Sequence, residues 1–298
     1  MQDYVSRYEW NAYRYPSQYI RLKQENWQKL HYLWSNPEEE PEELESNESL
    51  SAFDKWKLFI KRDSVVETDN APEQEALPKT EEELKHYFLD KLFPFQLKWA
   101  SSTVTSVSFI DKELERDDKL KYFMQRFPDT YLLMYYPIFS IKNIPVDGEI
   151  IFISPIGIEI IYLFDEPENV KIHAGDERTW EKEGTAKQSK ILSPLITLKR
   201  TEKIVKQILA TESIDFPIKK IVLSRKNHIV FHTEPYQTRI IGKLEYEKWF
   251  NEKRSLVSPL KSRQLKVIDT LLKHCQTTSM KRPEWEEDES TFTMDNDA

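Results

Sequence analysis

Hydrophobic positions are densest between Pro145 and Phe164, which read P-V-D-G-E-I-I-F-I-S-P-I-G-I-E-I-I-Y-L-F. Two apolar runs, residues 150–153 and 158–164, flank Ser154-Pro155-Ile156-Gly157. β-Branched runs around such turn chemistry predict a β-hairpin. Their near-continuous apolarity predicts strands buried on both faces.

The pattern elsewhere predicts mixed helices and strands. Pro16-Ser17 opens a helix with Ile20, Trp27, Leu30 and Leu33 on one face. Residues 1–34 are dense in tyrosine and tryptophan, read as aromatics packing on the main domain, with stacking on bases as the alternative. Residues 36–51 carry seven glutamates and two prolines and predict a solvated linker; a short helix over 54–61 and a second linker over 63–78 follow. Thr80 and Glu83 form a capping-box pattern ahead of Leu84, Tyr87, Phe88, Lys91 and Leu92, a helix that Pro94 ends or bends. Residues 96–109 fit helix or strand, 113–127 a helix with Leu114, Leu120, Phe123 and Met124 inward, and 129–141 a strand. Residues 165–184 read as a polar segment. Ser193-Pro194 starts a helix through Leu209, followed by strands over 218–223, 228–232 and 238–241. Helices over 244–250 and 263–275 and a disordered acidic tail over 281–298 complete the chain. No internal repeat is present.

Composition narrows the class. The chain has 298 residues, room for one substantial domain with appendages, and its 39% hydrophobic content leaves part of it outside any core. No run approaches the roughly 20 apolar residues of a membrane helix, and the polar, aromatic stretch after Met1 is not expected to act as a signal peptide. The expected setting is cytoplasmic. Cys275 is the single cysteine, which excludes an internal disulfide and a multi-cysteine zinc site. Five glycines supply neither a Walker loop nor a dinucleotide fingerprint. The net charge of −8 is uneven: residues 84–280 carry 31 basic and 25 acidic side chains, a balance of +6, while acids dominate the flanks.

The order helix, strand, buried hairpin, polar segment with tryptophan, Pro-initiated helix and strand pair resembles the nuclease-related domain (NERD) of the PD-(D/E)xK superfamily, over roughly residues 81–255. Ser154-Pro155-Ile156-Gly157 matches the family's hairpin turn, and Glu149 falls on its first acid. Trp180, Ser193-Pro194-Leu195 and the run 218–223 match later landmarks. The resemblance implies an α/β fold: a restriction-endonuclease-like core, a mixed sheet flanked by helices. Around it lie the helical extension 1–34, the linker region 35–80, a C-terminal helix in 256–280 and the tail 281–298.

The departures fall on the chemistry. The family's glutamate falls on Tyr162, its lysine on Phe164 and a helix glutamine on Thr197. Metal-dependent hydrolysis in such a site needs two carboxylates on the metal and a lysine near the attacking water. Strand alternation turns Glu159 and Asp165 away from Tyr162; Asp147 shares a face with Glu149, and Glu166 keeps the parity beyond the strand end. No cofactor is expected unless these acids restore a divalent-metal site.

Lys199, Lys203 and Lys206, with Arg200 beside them, form a basic stripe on one helix, a solvated face or a phosphate-tracking one. Lys219, Lys220, Arg225 and Lys226 extend it if their strands lie nearby. His228 and His232, four apart, and His173 are weighed as metal ligands against ordinary exposed or hydrogen-bonded side chains. Cys275 reads as a small buried hydrophobe. The expected function is a non-catalytic nuclease-related protein that contacts DNA through its basic centre or a protein partner through its aromatic N-terminal segment. A metal-dependent nuclease with displaced ligands, and an interaction scaffold without nucleic acid, are the alternatives.

Overall fold

The structure, a computed structural model, describes residues 4–5, 16–36, 78–101, 106–108, 111–184 and 188–281. The linker and short helix expected within 37–77, and the tail from 282, lie outside the described residues. The chain divides into two compact units, residues 14–94 and residues 1–13 with 95–298.

In the smaller unit, helix α1 (Pro16–Ser35) is joined by the start of helix α2 (Glu81–Ser101). The capping box forms as the sequence predicts. The Glu83 amide donates to Thr80 Oγ1 at 3.2 Å and the Thr80 amide to Glu83 Oε2 at 3.3 Å. Trp27 meets Phe88 edge-on at 5.5 Å, and the Trp34 indole donates to the Pro78 carbonyl at 2.5 Å. Pro94 does not end the helix, which runs on to Ser101. Propensity disfavours an interior proline, but buried Leu92, Phe93 and Leu97 keep the helical spacing across it.

The larger unit is a mixed sheet between two helical layers. Helices α3 (Lys112–Glu115) and α4 (Asp118–Arg126) replace the single helix expected over 113–127, because the Asp117 carboxylate caps Lys119 and Leu120 and restarts the helix there. The run 129–141 also divides, into β3 (Leu132–Tyr135) and β4 (Ile138–Ile141). Tyr136, before Pro137, takes a φ of 49° and turns the chain between them. A second turn, Lys142-Asn143 with both φ positive, leads into β5 (Ile144–Asp147), the partner of β4 in a separate two-stranded ribbon.

The predicted hairpin is present as β6 (Ile150–Ser154) and β7 (Gly157–Phe164), with Ser154 opposite Gly157. The Ser154 hydroxyl closes the turn by donating to the Gly157 carbonyl at 2.9 Å. Gly157 has a steric reason: a Cβ there would lie 3.0 Å from the Pro217 carbonyl oxygen. Every residue of β6 is buried.

Strands β8 (Lys171–His173), β9 (Thr179–Glu183) and β10 (Gln188–Leu192) follow, then helix α5 (Pro194–Thr211), capped by Ser193 as expected. Strand β11 (Ile218–Ser224), strand β12 (Ile229–Val230) and strand β13 (Thr238–Ile241) precede helices α6 (Lys243–Arg254) and α7 (Ser262–Leu272). Two short strands, β1 (Tyr4–Val5) and β2 (Ser106–Val107), add edges, and β2 pairs with β14 (Met280–Lys281).

The six-stranded sheet runs β1-β3-β6-β7-β11-β13, antiparallel as far as β7 and parallel from β7 through β11 to β13. Ile151, Ile153, Ile158 and Ile160 pack with Leu195, Leu198 and Val205 of α5 and Val267, Ile268 and Leu271 of α7. On the opposite face Phe152 contacts Phe127 of the α4 end at 4.9 Å, and Phe127 meets Trp249 of α6 at 5.6 Å. A second sheet, β10-β9-β8-β12, takes β8 and β9 from what the sequence showed only as a polar segment and β12 from the strand expected over 228–232. It has little hydrophobic signal because its buried side is supplied mainly by Ile172 and Trp180. Mixed α/β architecture with sheets flanked by helices is therefore as expected. Among the described residues, no helix is long and apolar enough to cross a membrane.

Candidate functional site

The C-terminal end of β7 collects the positions that the sequence singled out. Glu149 stands just before β6 and is 9% exposed. Its backbone amide donates to Thr201 Oγ1 of α5 at 3.1 Å. Burial pushes its carboxyl pKa up, against the opposing pull of the Thr197 hydroxyl and the Arg200 charge. Tyr162, half-buried on β7, has its phenol pKa raised by burial and then by the charges of Glu149 and Glu166. Three residues far apart in sequence, Glu149, Tyr162 and Thr197, are thus electrostatic neighbours.

Phe164 does not reach out of the fold. It is 4% exposed, lies 5.0 Å from Tyr162, and stacks on Trp180 at 6.0 Å with an interplanar angle of 24°. Trp180 is itself 1% exposed. The two aromatic positions are built into packing between β7 and the second sheet.

Asp147 and Glu149 do not share a face. β5 ends at Asp147 in the two-stranded ribbon and β6 begins at Ile150 in the main sheet, so strand alternation does not carry across Gly148. A Cβ on Gly148 would lie 2.8 Å from the Phe139 ring, so the switch needs glycine. Asp147 ends up exposed, and its backbone carbonyl accepts from Arg200 at 3.1 Å. Glu166 meets Lys182 of β9 at 2.5 Å, and Asp165 lies between Lys119 and Lys226 at 3.7 and 3.6 Å.

Tyr135 and Tyr136 line the same end. The Tyr135 hydroxyl donates to Asp117 Oδ2 at 2.7 Å. Tyr136 keeps a left-handed backbone, a conformation costing a bulky residue on the order of 1–3 kcal/mol. Burial and then nearby carboxylates raise both phenol pKa values, so both rings stay neutral. Sequence periodicity gave no sign of Tyr136; the Tyr-Pro step was the only local cue.

A divalent cation fits this arrangement poorly. Burial raises the Glu149 carboxyl pKa and so disfavours the charged form that a cation needs, and the Arg200 charge acts on the same group. Among the described residues no three histidine, cysteine, aspartate or glutamate side chains form a group that could hold a metal ion. β12 covers only residues 229–230, so His228 and His232 lie outside it and lose the shared side assumed for them. His173 bonds Glu183 at 2.8 Å, and Cys275 is half-buried.

The basic stripe lies on the exposed side of α5 but is engaged. Lys199 pairs with Glu177 at 2.6 Å and Lys206 with Glu202 at 2.8 Å, while Lys203 is exposed. Lys220 does not extend the stripe, because it is 4% exposed and meets Glu202 at 2.5 Å inside the fold. Comparison with protein-family models, curated proteins and solved structures finds no match for this chain.

Proposed function

We propose that this chain is a non-catalytic α/β protein of the nuclease-related kind that contacts DNA. The observation that carries the reading is Phe164, which stands where the resemblance places a lysine and is packed on Trp180. A phenyl ring cannot orient a water or carry a proton, and Tyr162 supplies no carboxylate. The proximity of Glu149, Tyr162 and Thr197 supports the correspondence with the family's site. Binding to DNA is supported by the +6 balance of residues 84–280 and by the α5 stripe. The Lys199–Glu177 pair is largely solvated. Such pairs are worth about 0–1 kcal/mol, so a phosphate can compete for the lysine.

The test is fluorescence anisotropy with a labelled duplex DNA across a salt series. Wild type binds with log K falling linearly against log salt, and Lys199→Gln with Lys203→Gln weakens binding and flattens the slope by about two. Unchanged affinity and slope would remove α5 from the interface. Absence of binding at low salt would favour the scaffold reading.

One observation favours a second reading, a metal-dependent nuclease with displaced ligands. Glu149 and Glu166 both act on Tyr162, and Lys182 accompanies Glu166. Two carboxylates and a lysine thus stand near the end of β7, although Lys182 is tied into an ion pair.

A further inference from the structure

Beside this site, across α4, α6 and the β11–β12 turn, lies an arginine–aromatic array that the family pattern does not assign. The Arg225 guanidinium sits 4.2 Å from the Tyr122 ring centroid. The Tyr122 and Tyr246 hydroxyls meet at 2.6 Å, and Tyr246 stacks on Phe250 at 5.6 Å with an interplanar angle of 17°. Arg254 lies 5.4 Å from the Phe250 centroid. Lys119, Tyr122 and Arg126 follow one another at helical spacing on α4, so Arg126 joins the same surface. Both Arg126 and Arg225 act electrostatically on the two tyrosines.

The charge balance of the array is positive. Among the described residues, Arg126, Arg225 and Arg254 have no carboxylate partner, and the Arg225 N–H groups have no protein acceptor. Exposed Asp118 shares the Tyr122 and Arg126 face of α4, and the other acids nearby are committed or outnumbered. Asp165 is shared by Lys119 and Lys226, Glu245 caps the Gly242 amide at 3.2 Å and Glu252 pairs with Arg239. Glu247, on exposed α6, is the remaining acid acting on Tyr246. A cation–π contact uses no N–H donor. The guanidinium fork of Arg225 is therefore held in place with its donors unspent.

We infer that this array is a phosphate-binding surface that takes the backbone of a nucleic acid, with Arg225 and Arg126 as its principal contacts. The inference rests on the DNA-contacting reading and moves its main contacts from α5 to the α4–α6 side. Charge complementarity selects the ligand: a half-exposed Arg225 and an exposed Arg126, neither in a salt bridge with a described carboxylate, match phosphate oxygens better than they match another apolar surface. The tyrosine pair keeps the platform rigid, since each ring is fixed by a hydrogen bond and by stacking.

The test uses the full chain with labelled duplex DNA over a salt series, comparing wild type with Arg225→Gln, Arg126→Gln and the double variant. Each single change is expected to weaken binding and flatten the log K against log salt slope by about one, and the pair by about two. Arg225→Lys keeps the charge and should retain nearly the wild-type slope with weaker binding, a result that general unfolding would not give. Arg126 is exposed, so its variant reports even if Arg225→Gln misfolds. Wild-type affinity and slope in the double variant, with loss only in the Lys199/Lys203 variant, would overturn the array while leaving the DNA reading intact. No binding by wild type at low salt would overturn both. Competition by polyglutamate as strong as by unlabelled DNA would overturn phosphate recognition in favour of an acidic protein partner.

Discussion

Replacing Phe164 by alanine tests whether the end of β7 is core or reaction site. The ring is 4% exposed, packs 5.0 Å from Tyr162 and 6.0 Å from Trp180, and belongs to the cluster that includes Ile160, Leu198 and Val222. Truncating a buried phenylalanine removes its transfer free energy and leaves a cavity, typically about 3–5 kcal/mol together. Trp180 is held by β9 and the Ile172 layer and cannot collapse fully into the space, which places the expected loss near ~4 kcal/mol. The assay is urea unfolding followed by far-UV circular dichroism. A loss of this size with an unchanged m-value supports the packed assignment. A loss below about 1 kcal/mol would refute it, because a side chain that contributes so little is not filling the core. Phe164→Lys sharpens the result. It should destabilise at least as much as alanine, since it places an ammonium in a buried site packed on Trp180.

Two other changes have signs fixed by the structure. Glu149→Gln should raise the melting temperature near neutral pH: the folded carboxyl has a raised pKa, so wild-type stability falls as pH climbs from 4.5 through that value, and the gain should vanish below 4.5. A gain independent of pH would contradict this. Lys220→Ala should cost about 3 kcal/mol, because it strands a Glu202 whose side chain is 12% exposed and which retains only the outer partner Lys206. Burial pushes Glu202 up, but its bonds to Lys206 and Lys220 hold it below 4.5, so its contribution is complete above that pH and lost as pH falls through the lowered value. A neutral Lys220→Ala would show that the pair is not buried.

The parts of the fold legible in the sequence are those where local chemistry and burial agree. Ile150 to Phe164 reads as a hairpin because it is buried on both faces, and Ser193-Pro194 reads as a helix start because the cap is local. The sites of failure are those where a distant contact decides. Pro94 sits inside a helix because flanking apolar residues hold it there, and β8 to β10 form a sheet with scarcely any hydrophobic alternation. Asp147 and Glu149 differ in exposure because the chain changes sheets at Gly148, a switch that parity counting cannot register. At the end of β7, the resemblance singled out Glu149, Tyr162 and Thr197, and the fold makes them neighbours. Tyr122, Arg126 and Tyr246 were not, since only packing of α4 against α6 brings them beside Arg225. Lys220 shows the reverse error: its lysine identity suggested a surface, yet its place on central β11 put it inside.

We propose that the hairpin serves as a scaffold without hydrolysis. The most direct measurement incubates the purified full chain with linear and supercoiled DNA in magnesium or manganese, following strand cleavage alongside binding. Binding that falls with salt, and no cleavage in either metal, is the expected result. Cleavage that disappears in both Glu149→Ala and Glu166→Ala, with binding kept, would contradict it and establish the displaced-ligand nuclease.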